Sequence, residues 1–240
     1  MSVPSNQKKS ANAIEDVPQE GKVVGGRYQL LTVIGTGGMS TVYLALDKVL
    51  NKQWAAKEIR RVEDSHMRDL IVKSIVTEAN MIKRFDHPAI PRIVDIVDES
   101  GILYVIMDYV EGHTLESIRE TMGPQSEGAV SDWALQLCDV LEYLHQLDPP
   151  IIYRDMKPSN VMLKPNGSVS VIDFGIAREL YGDERNGGPE DEDLLGTRGY
   201  ASPEQANPSR GTDARSDVYS LGATMFSLAN PQGKCNDWQW

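Results

Sequence analysis

The character of this chain changes once, near Gly112, and that switch limits the folds open to it. Before it, β-branched and apolar runs alternate with glycine-rich or polar turns. Tyr28 to Ile34 reads as a strand, Gly35-Thr-Gly-Gly38 breaks it, and Thr41 to Ala45 resumes. Trp54 to Ile59 reads as a third strand. Arg92 to Val97 and Ile102 to Val110 read as two more, joined by the polar turn Asp98-Glu-Ser-Gly101. One helical segment interrupts them: Met67, Leu70, Ile71, Ile75, Glu78 and Ile82 recur at helical intervals between residues 67 and 84, and His87-Pro88 closes it. After Gly112 helical periodicity takes over. Trp133, Leu137, Val140, Leu141 and Leu144 form one apolar face of a helix starting near Ser126, and Pro149-Pro150 ends it. Strands with one helix, then helices, is the order of an α+β protein with a small sheet lobe and a helical lobe.

Composition narrows the function. At 240 residues and 40% hydrophobic, the chain can bury one sizeable core or two smaller lobes. A net charge of −11 argues against a general nucleic-acid surface. The two cysteines, Cys138 and Cys235, have neither metal-ligand nor disulfide-framework spacing, which suits a reducing compartment, and the four histidines are scattered. No apolar run is long enough to span a bilayer and no signal-peptide core is present, so the expectation is a cytoplasmic protein. Residues 1–26 are polar and end in Gly25-Gly26, and they read as a flexible leader.

Three groups of residues carry chemistry. The run Gly35-x-Gly37-x-x-Ser40-x-Val42, with Ile34 before it and Gly38 inside it, lies between two strands. Glycines there let backbone N–H groups approach phosphate oxygens. A plain structural hairpin explains the same residues. A dinucleotide fold would need a helix after the glycines, where Thr41-Val42-Tyr43 stands, and no Gly-Lys-Ser/Thr ends the run as a P-loop would. Lys57 closes the third strand, and Glu78 lies on the following helix. A lysine that holds phosphates needs a carboxylate to orient its flexible stem; Glu63 competes for that role but precedes the helix. The third group is Tyr153-Arg-Asp-Met-Lys-Pro-Ser-Asn160, followed thirteen residues after Asn160 by Asp173-Phe-Gly175.

With these motifs in hand, the chain resembles the eukaryotic-type serine/threonine protein kinases, most closely their bacterial branch, from about Tyr28 to Gly222. The resemblance implies a two-lobed kinase fold, with an N-lobe over about 27–108 and a C-lobe over about 112–229, and transfer of the ATP γ-phosphate to protein Ser/Thr hydroxyls. It implies that Asp155 orients the substrate hydroxyl, that Lys157 sits against the γ-phosphate, and that Thr197 bridges the two. Asn160 and Asp173 are implied Mg²⁺ ligands, oxygen donors for a hard cation. The backbone of Asp108-Tyr-Val110 is implied to meet adenine, with Met107 guarding the pocket and Val42, Ala55 and Leu163 sandwiching the base. Lys157 and the ending Gly196-Thr197-Arg-Gly-Tyr-Ala-Ser-Pro203-Glu204 resemble the serine/threonine rather than the tyrosine branch. Asp217 is implied to fasten the catalytic-loop backbone.

Departures from the pattern set further expectations. Tyr153 replaces the usual histidine and is expected to stack on Phe174, and Ser202 replaces alanine. Arg154 is expected to grip an activation-loop phosphate. Between Gly175 and Gly196 Tyr181 is the only hydroxyl, so the carboxylates of residues 190–193 are a candidate stand-in for that phosphate, a solvated acidic loop being the alternative. The helix beginning near Asp217 loses its pattern after Met225-Phe226, and residues 230–240 match no family motif. That predicts a C-terminally truncated helical lobe with an exposed apolar face, an unpaired Glu204, poor solubility and weak activity. The alternative function is a catalytically impaired ATP-binding scaffold.

Overall fold

The computed structural model describes residues 20–37, 40–59, 83, 85–99, 101–173, 197, 199–205 and 211–231. All of the helix expected at 67–84 except residue 83, with Glu78, and also Gly38, Phe174, Tyr181, the acidic run 190–193 and the tail from residue 232 lie outside these.

A six-stranded sheet forms the first lobe. Its strands are β1 (Val23–Val24), β2 (Tyr28–Thr36), β3 (Ser40–Asp47), β4 (Lys52–Ile59), β5 (Ile93–Glu99) and β6 (Ile102–Asp108), in the order β1-β2-β3-β4-β6-β5 with every pair antiparallel. Side chains alternate between faces along each strand, and directly opposed residues share a face. The pairings Tyr43–Ala56, Ala45–Trp54 and Ala56–Ile106 therefore set one face, while Val42–Lys57, Leu44–Ala55, Ala55–Met107 and Lys57–Val105 set the other.

The first face rolls up on itself. β1 and β5 are opposite ends of the strand order, yet Gly25 N–H donates to Glu99 Oε2 at 2.6 Å, Tyr28 OH donates to Asp95 at 2.9 Å, and Lys22 Nζ donates to Tyr104 OH at 3.3 Å. Inside the roll Val24, Leu30, Tyr43, Ala45, Ala56, Tyr104 and Ile106 are buried. Burial, then the Asp95 hydrogen bond, pushes the Tyr28 phenol up to about 12, so it stays a donor. Ordered structure thus begins before the Gly25-Gly26 pair expected to end a flexible leader. Val24 is an apolar side chain with a dry site to fill, and the glycines serve as the positive-φ turn (57° and 65°) between β1 and β2.

The second lobe begins with β7 (His113–Thr114) and α1 (Leu115–Met122), whose N-cap Thr114 accepts from Ser117 N–H at 3.1 Å. The expected second-lobe helix is α2 (Glu127–His145), N-capped by Ser126. Its buried stripe Val130, Trp133, Leu137, Val140, Leu141, Leu144 is the periodic face read from sequence. At about 1.5–3 kcal/mol per buried large side chain, that stripe contributes substantially to the lobe's cohesion. It packs with Val105, Ile93 and Leu103 from the second face of the sheet, so one core joins the lobes. β8 (Val161–Leu163) and β9 (Val169–Val171) form a hairpin beside β7.

Helix α3 (Ala214–Ala229) runs a full turn closer to the chain end than its apolar pattern suggested. Its inward face joins Leu221 and Leu228 to the polar Ser216, Asp217, Ser220, Thr224 and Ser227, which an apolar count passes over. Val218 and Phe226 on it are exposed. Glu204, expected to be unpaired, is not: it accepts the Ser216 hydroxyl at 2.6 Å, and that bond, ahead of an opposing burial effect, draws its carboxyl below the ordinary value. Among the described residues no helix is long and apolar enough to cross a membrane.

Candidate functional site

The face of the sheet turned toward the second lobe carries Val42, Ala55, Lys57 and Met107, brought level by the Val42–Lys57 and Ala55–Met107 pairings. Gly35 opposes Val42, and Gly37 N–H donates to Ser40 C=O at 2.8 Å, closing the hairpin; Ile34 beside it is exposed. At the other end of this face β6 gives way at Asp108 to the connection between the lobes. Asp108 turns its carboxylate onto Arg92 Nε (2.9 Å) and Lys52 Nζ (3.7 Å), and its N–H donates to Arg92 C=O at 3.0 Å. Gly112 ends the connection at φ +141°, where a Cβ would lie 2.1 Å from the carbonyl oxygen of Leu163. Only glycine lets the connection rest so closely on β8.

Below it runs Ile151–Lys157, which has no regular secondary structure, so most of its backbone polar groups need partners outside a helix or strand ladder, and several find them in side chains. Asp217, fully buried at the start of α3, accepts Tyr153 N–H at 2.9 Å and Arg154 N–H at 2.7 Å, and also His145 Nε2 at 2.7 Å. Thr224 donates to Met156 C=O at 3.1 Å, and Asn160 Nδ2 donates to Asp155 C=O at 3.0 Å. Arg154 sits at φ +64°, a strained region for a non-glycine residue, held there by these bonds. Its Nε donates to Thr212 Oγ1 at 2.8 Å; the loop phosphate it was expected to meet belongs to a segment outside the described residues.

The Asp155 carboxylate is the hub. One oxygen accepts Asn160 Nδ2 at 2.8 Å and lies 3.1 Å from Lys157 Nζ. The other accepts the Thr197 hydroxyl at 3.0 Å, and that hydroxyl in turn accepts Lys157 Nζ at 2.7 Å. Asp173, just after β9, accepts Lys57 Nζ at 2.9 Å, which ties the sheet lobe to the second lobe. Tyr153 donates its hydroxyl to the Asp173 carbonyl at 2.5 Å. Burial first, then the Asp173 and Asp155 charges, holds its phenol well above the ordinary value, so the donor persists. Sequence reasoning treated position 153 as a packing and hydrogen-bonding one and expected Tyr153 to stack on Phe174, without naming a hydrogen-bond partner. The replacement of histidine by another aromatic with a polar tip was the signal for this bond.

With Asn160 Nδ2 committed to Asp155, its amide oxygen is the atom left for a cation. Together with the Asp173 carboxylate it makes a hard oxygen donor set of the kind Mg²⁺ takes beside phosphates. Among the described residues no group of three or more His, Cys, Asp or Glu converges as a self-sufficient metal cage. A cavity of about 480 Å³ lies against the connection, lined in part by Pro88, Asp108, Tyr109, Val110, Lys164 and Asn166, and holds none of Lys57, Asp155 or Asp173.

Known proteins share this arrangement of elements. A family model described as the protein kinase domain matches residues 28–237. The serine/threonine-protein kinase PrkC of Bacillus subtilis is 36% identical over 208 residues, covering 87% of this chain and 31% of the relative. The serine/threonine-protein kinase PknB of Mycolicibacterium smegmatis is 37% identical over 206 residues, covering 84% of this chain and 32% of the relative. The chain therefore spans about a third of the length of these curated relatives. A solved structure, the PpkA-294 apo form, superposes with a TM-score of 0.74 at 24% identity, covering 90% of this chain and 79% of that one, a likeness of fold.

Proposed function

This chain belongs to the protein kinase domain family, and we propose that it transfers the γ-phosphoryl group of ATP to serine or threonine hydroxyls of proteins. One observation carries the reading. Asp155 is gripped by Lys157, Asn160 and Thr197, while Asp173 meets Lys57 from the opposite lobe. A carboxylate, two ammonium groups and two hard oxygen donors are what phosphoryl transfer asks of a protein, since its catalysis is mostly positioning and electrostatic stabilisation.

Each residue has a role in this reading. Asp155 accepts the proton of the incoming hydroxyl, its carboxylate aimed by Asn160 and Thr197. Lys157 supplies positive charge beside that carboxylate, where the transferred group gathers negative charge. Lys57 orients the α- and β-phosphates, and the glycine hairpin from Ile34 to Val42 covers them. Asn160 and Asp173 would hold Mg²⁺. When bound, that ion neutralises phosphate oxygens. Ala55, Val42 and Leu163 supply an apolar slot for the base, beside Met107 and the main chain of Asp108–Val110. The lysine at 157 and the hydroxyl at 197 favour serine and threonine over tyrosine as acceptors.

Incubation of the chain with radiolabelled ATP, Mg²⁺ and a generic protein acceptor tests this directly. Label should appear on serine or threonine, and Asp155→Asn should lower the rate by about 10²–10⁴-fold, the usual worth of a positioned general base. Nucleotide binding without any transfer would replace the enzyme reading with that of an ATP-binding scaffold.

A further inference from the structure

Residues 197–205 close onto the Tyr153–Lys157 segment at two points. At the first, the Thr197 hydroxyl lies between Asp155 and Lys157. Tyr200 N–H and Ala201 N–H then both turn back onto the Thr197 carbonyl at 3.0 Å. At the second point, buried Gln205 spans the gap between the two segments. Its Oε1 accepts Ser202 N–H at 2.9 Å and the Ser202 hydroxyl at 3.1 Å, and its Nε2 donates to Arg154 C=O at 2.8 Å. The amide can point only one way, because Ser202 N–H requires an acceptor and the Arg154 carbonyl requires a donor. Arg154 is the left-handed residue immediately before Asp155. Asp217 pins its N–H and Gln205 pins its C=O.

We propose that Gln205 is a positioning residue for phosphoryl transfer. It anchors the far end of the 197–205 loop to the Arg154 carbonyl, so that Thr197 stays between Asp155 and Lys157 and the acceptor hydroxyl meets a correctly aimed carboxylate. The inference rests on the kinase reading above. It assigns Gln205 an effect on turnover with protein acceptor and none on nucleotide affinity.

Gln205→Glu is the sharp variant. It keeps an oxygen for Ser202 and its shape, but presents a second oxygen to the Arg154 carbonyl in place of the donor. Gln205→Leu removes both connections. In the full 240-residue chain, Gln205→Glu should lower kcat with protein acceptor by about tenfold, as expected for one lost buried hydrogen bond, and Gln205→Leu by at least as much, while KM for ATP stays within about twofold. Rates are taken per nucleotide-binding molecule, so a loss confined to folded fraction leaves kcat untouched and overturns the proposal. Unchanged kcat in Gln205→Glu also overturns it. Hydrogen exchange at the Ser202 amide supplies an activity-free reading, and Gln205→Leu should speed it by about tenfold or more. A wild-type chain without transfer would defeat the kinase reading, and equal Ser202 exchange in wild type and Gln205→Leu would separately defeat the anchoring.

Discussion

Replacing Asp217 by asparagine tests how the second lobe holds its unstructured loop. The wild-type carboxylate is fully buried and uses its oxygens differently: one accepts Arg154 N–H at 2.7 Å, the other accepts Tyr153 N–H at 2.9 Å and His145 Nε2 at 2.7 Å. Asparagine brings only one oxygen. The lower-cost orientation turns it toward Tyr153 and His145, which leaves the side-chain NH₂ facing the Arg154 N–H. Two buried donors then confront each other without an acceptor. At about 1–3 kcal/mol per stranded group, the expected loss is about 3 kcal/mol. For a chain of this size each kcal/mol moves Tm by about 2–4 °C, so thermal melting followed by circular dichroism should fall by about 6–12 °C. Because the stranded N–H is that of the residue preceding Asp155, turnover should fall as well, by about 10–100-fold, the scale of a small misplacement of a reacting group. A variant melting within about 2 °C of wild type, with turnover intact, would refute the claim that Asp217 holds this loop.

Two further outcomes follow from the geometry. Gly112→Ala puts a methyl against the Leu163 carbonyl at a backbone angle that alanine avoids, and it should cost about 3–5 kcal/mol by urea unfolding; Gly123→Ala, at φ +81° with open space around it, should cost about 1 kcal/mol. Asp47 accepts Arg27 Nε and Nη2 and the N–H groups of Val49 and Leu50, and the Arg27 hydrogen bond, more than these backbone bonds, holds its carboxyl well below the ordinary value. A depressed folded value means the stabilisation is complete above the unfolded value and is lost as pH falls toward the folded one. The Tm gap between wild type and Asp47→Asn should therefore be constant from about pH 8 to 5 and shrink below about pH 4; a gap unchanged down to pH 2 would contradict it.

The long elements were legible because burial writes a period into sequence. Trp133 to Leu144 announced α2, and the β-branched runs announced β2 to β6 to within a few residues. The short strands were not. β7 has two residues, and β8 and β9 have three each, too few to show alternation, and all three residues of β9 are buried. Helix α3 was read as lapsing early because its inward face mixes Leu221 and Leu228 with serine, threonine and aspartate, which breaks the apolar period. At the site, the acids and lysines stood out through their spacing. Of their supports, Thr197 and Asp217 were reached only through the family resemblance and Gln205 and Thr212 not at all, because a hydrogen bond from Gln205 to Arg154, or from Arg154 to Thr212, joins residues 51 and 58 positions apart. Only the folded path of the chain brings such partners within reach. No local pattern in a glutamine or a threonine marks it.

The rolled sheet bears on where this domain can be cut. The family match begins at residue 28, yet Val23–Val24 already pairs with Tyr28 and Gln29, and Val24 is fully buried. A version trimmed to the match would lose the seam between the two ends of the sheet. It would wet a tyrosine-lined interior and leave β2, the strand that leads into the glycine hairpin, with a bare edge ready to pair with a neighbouring molecule.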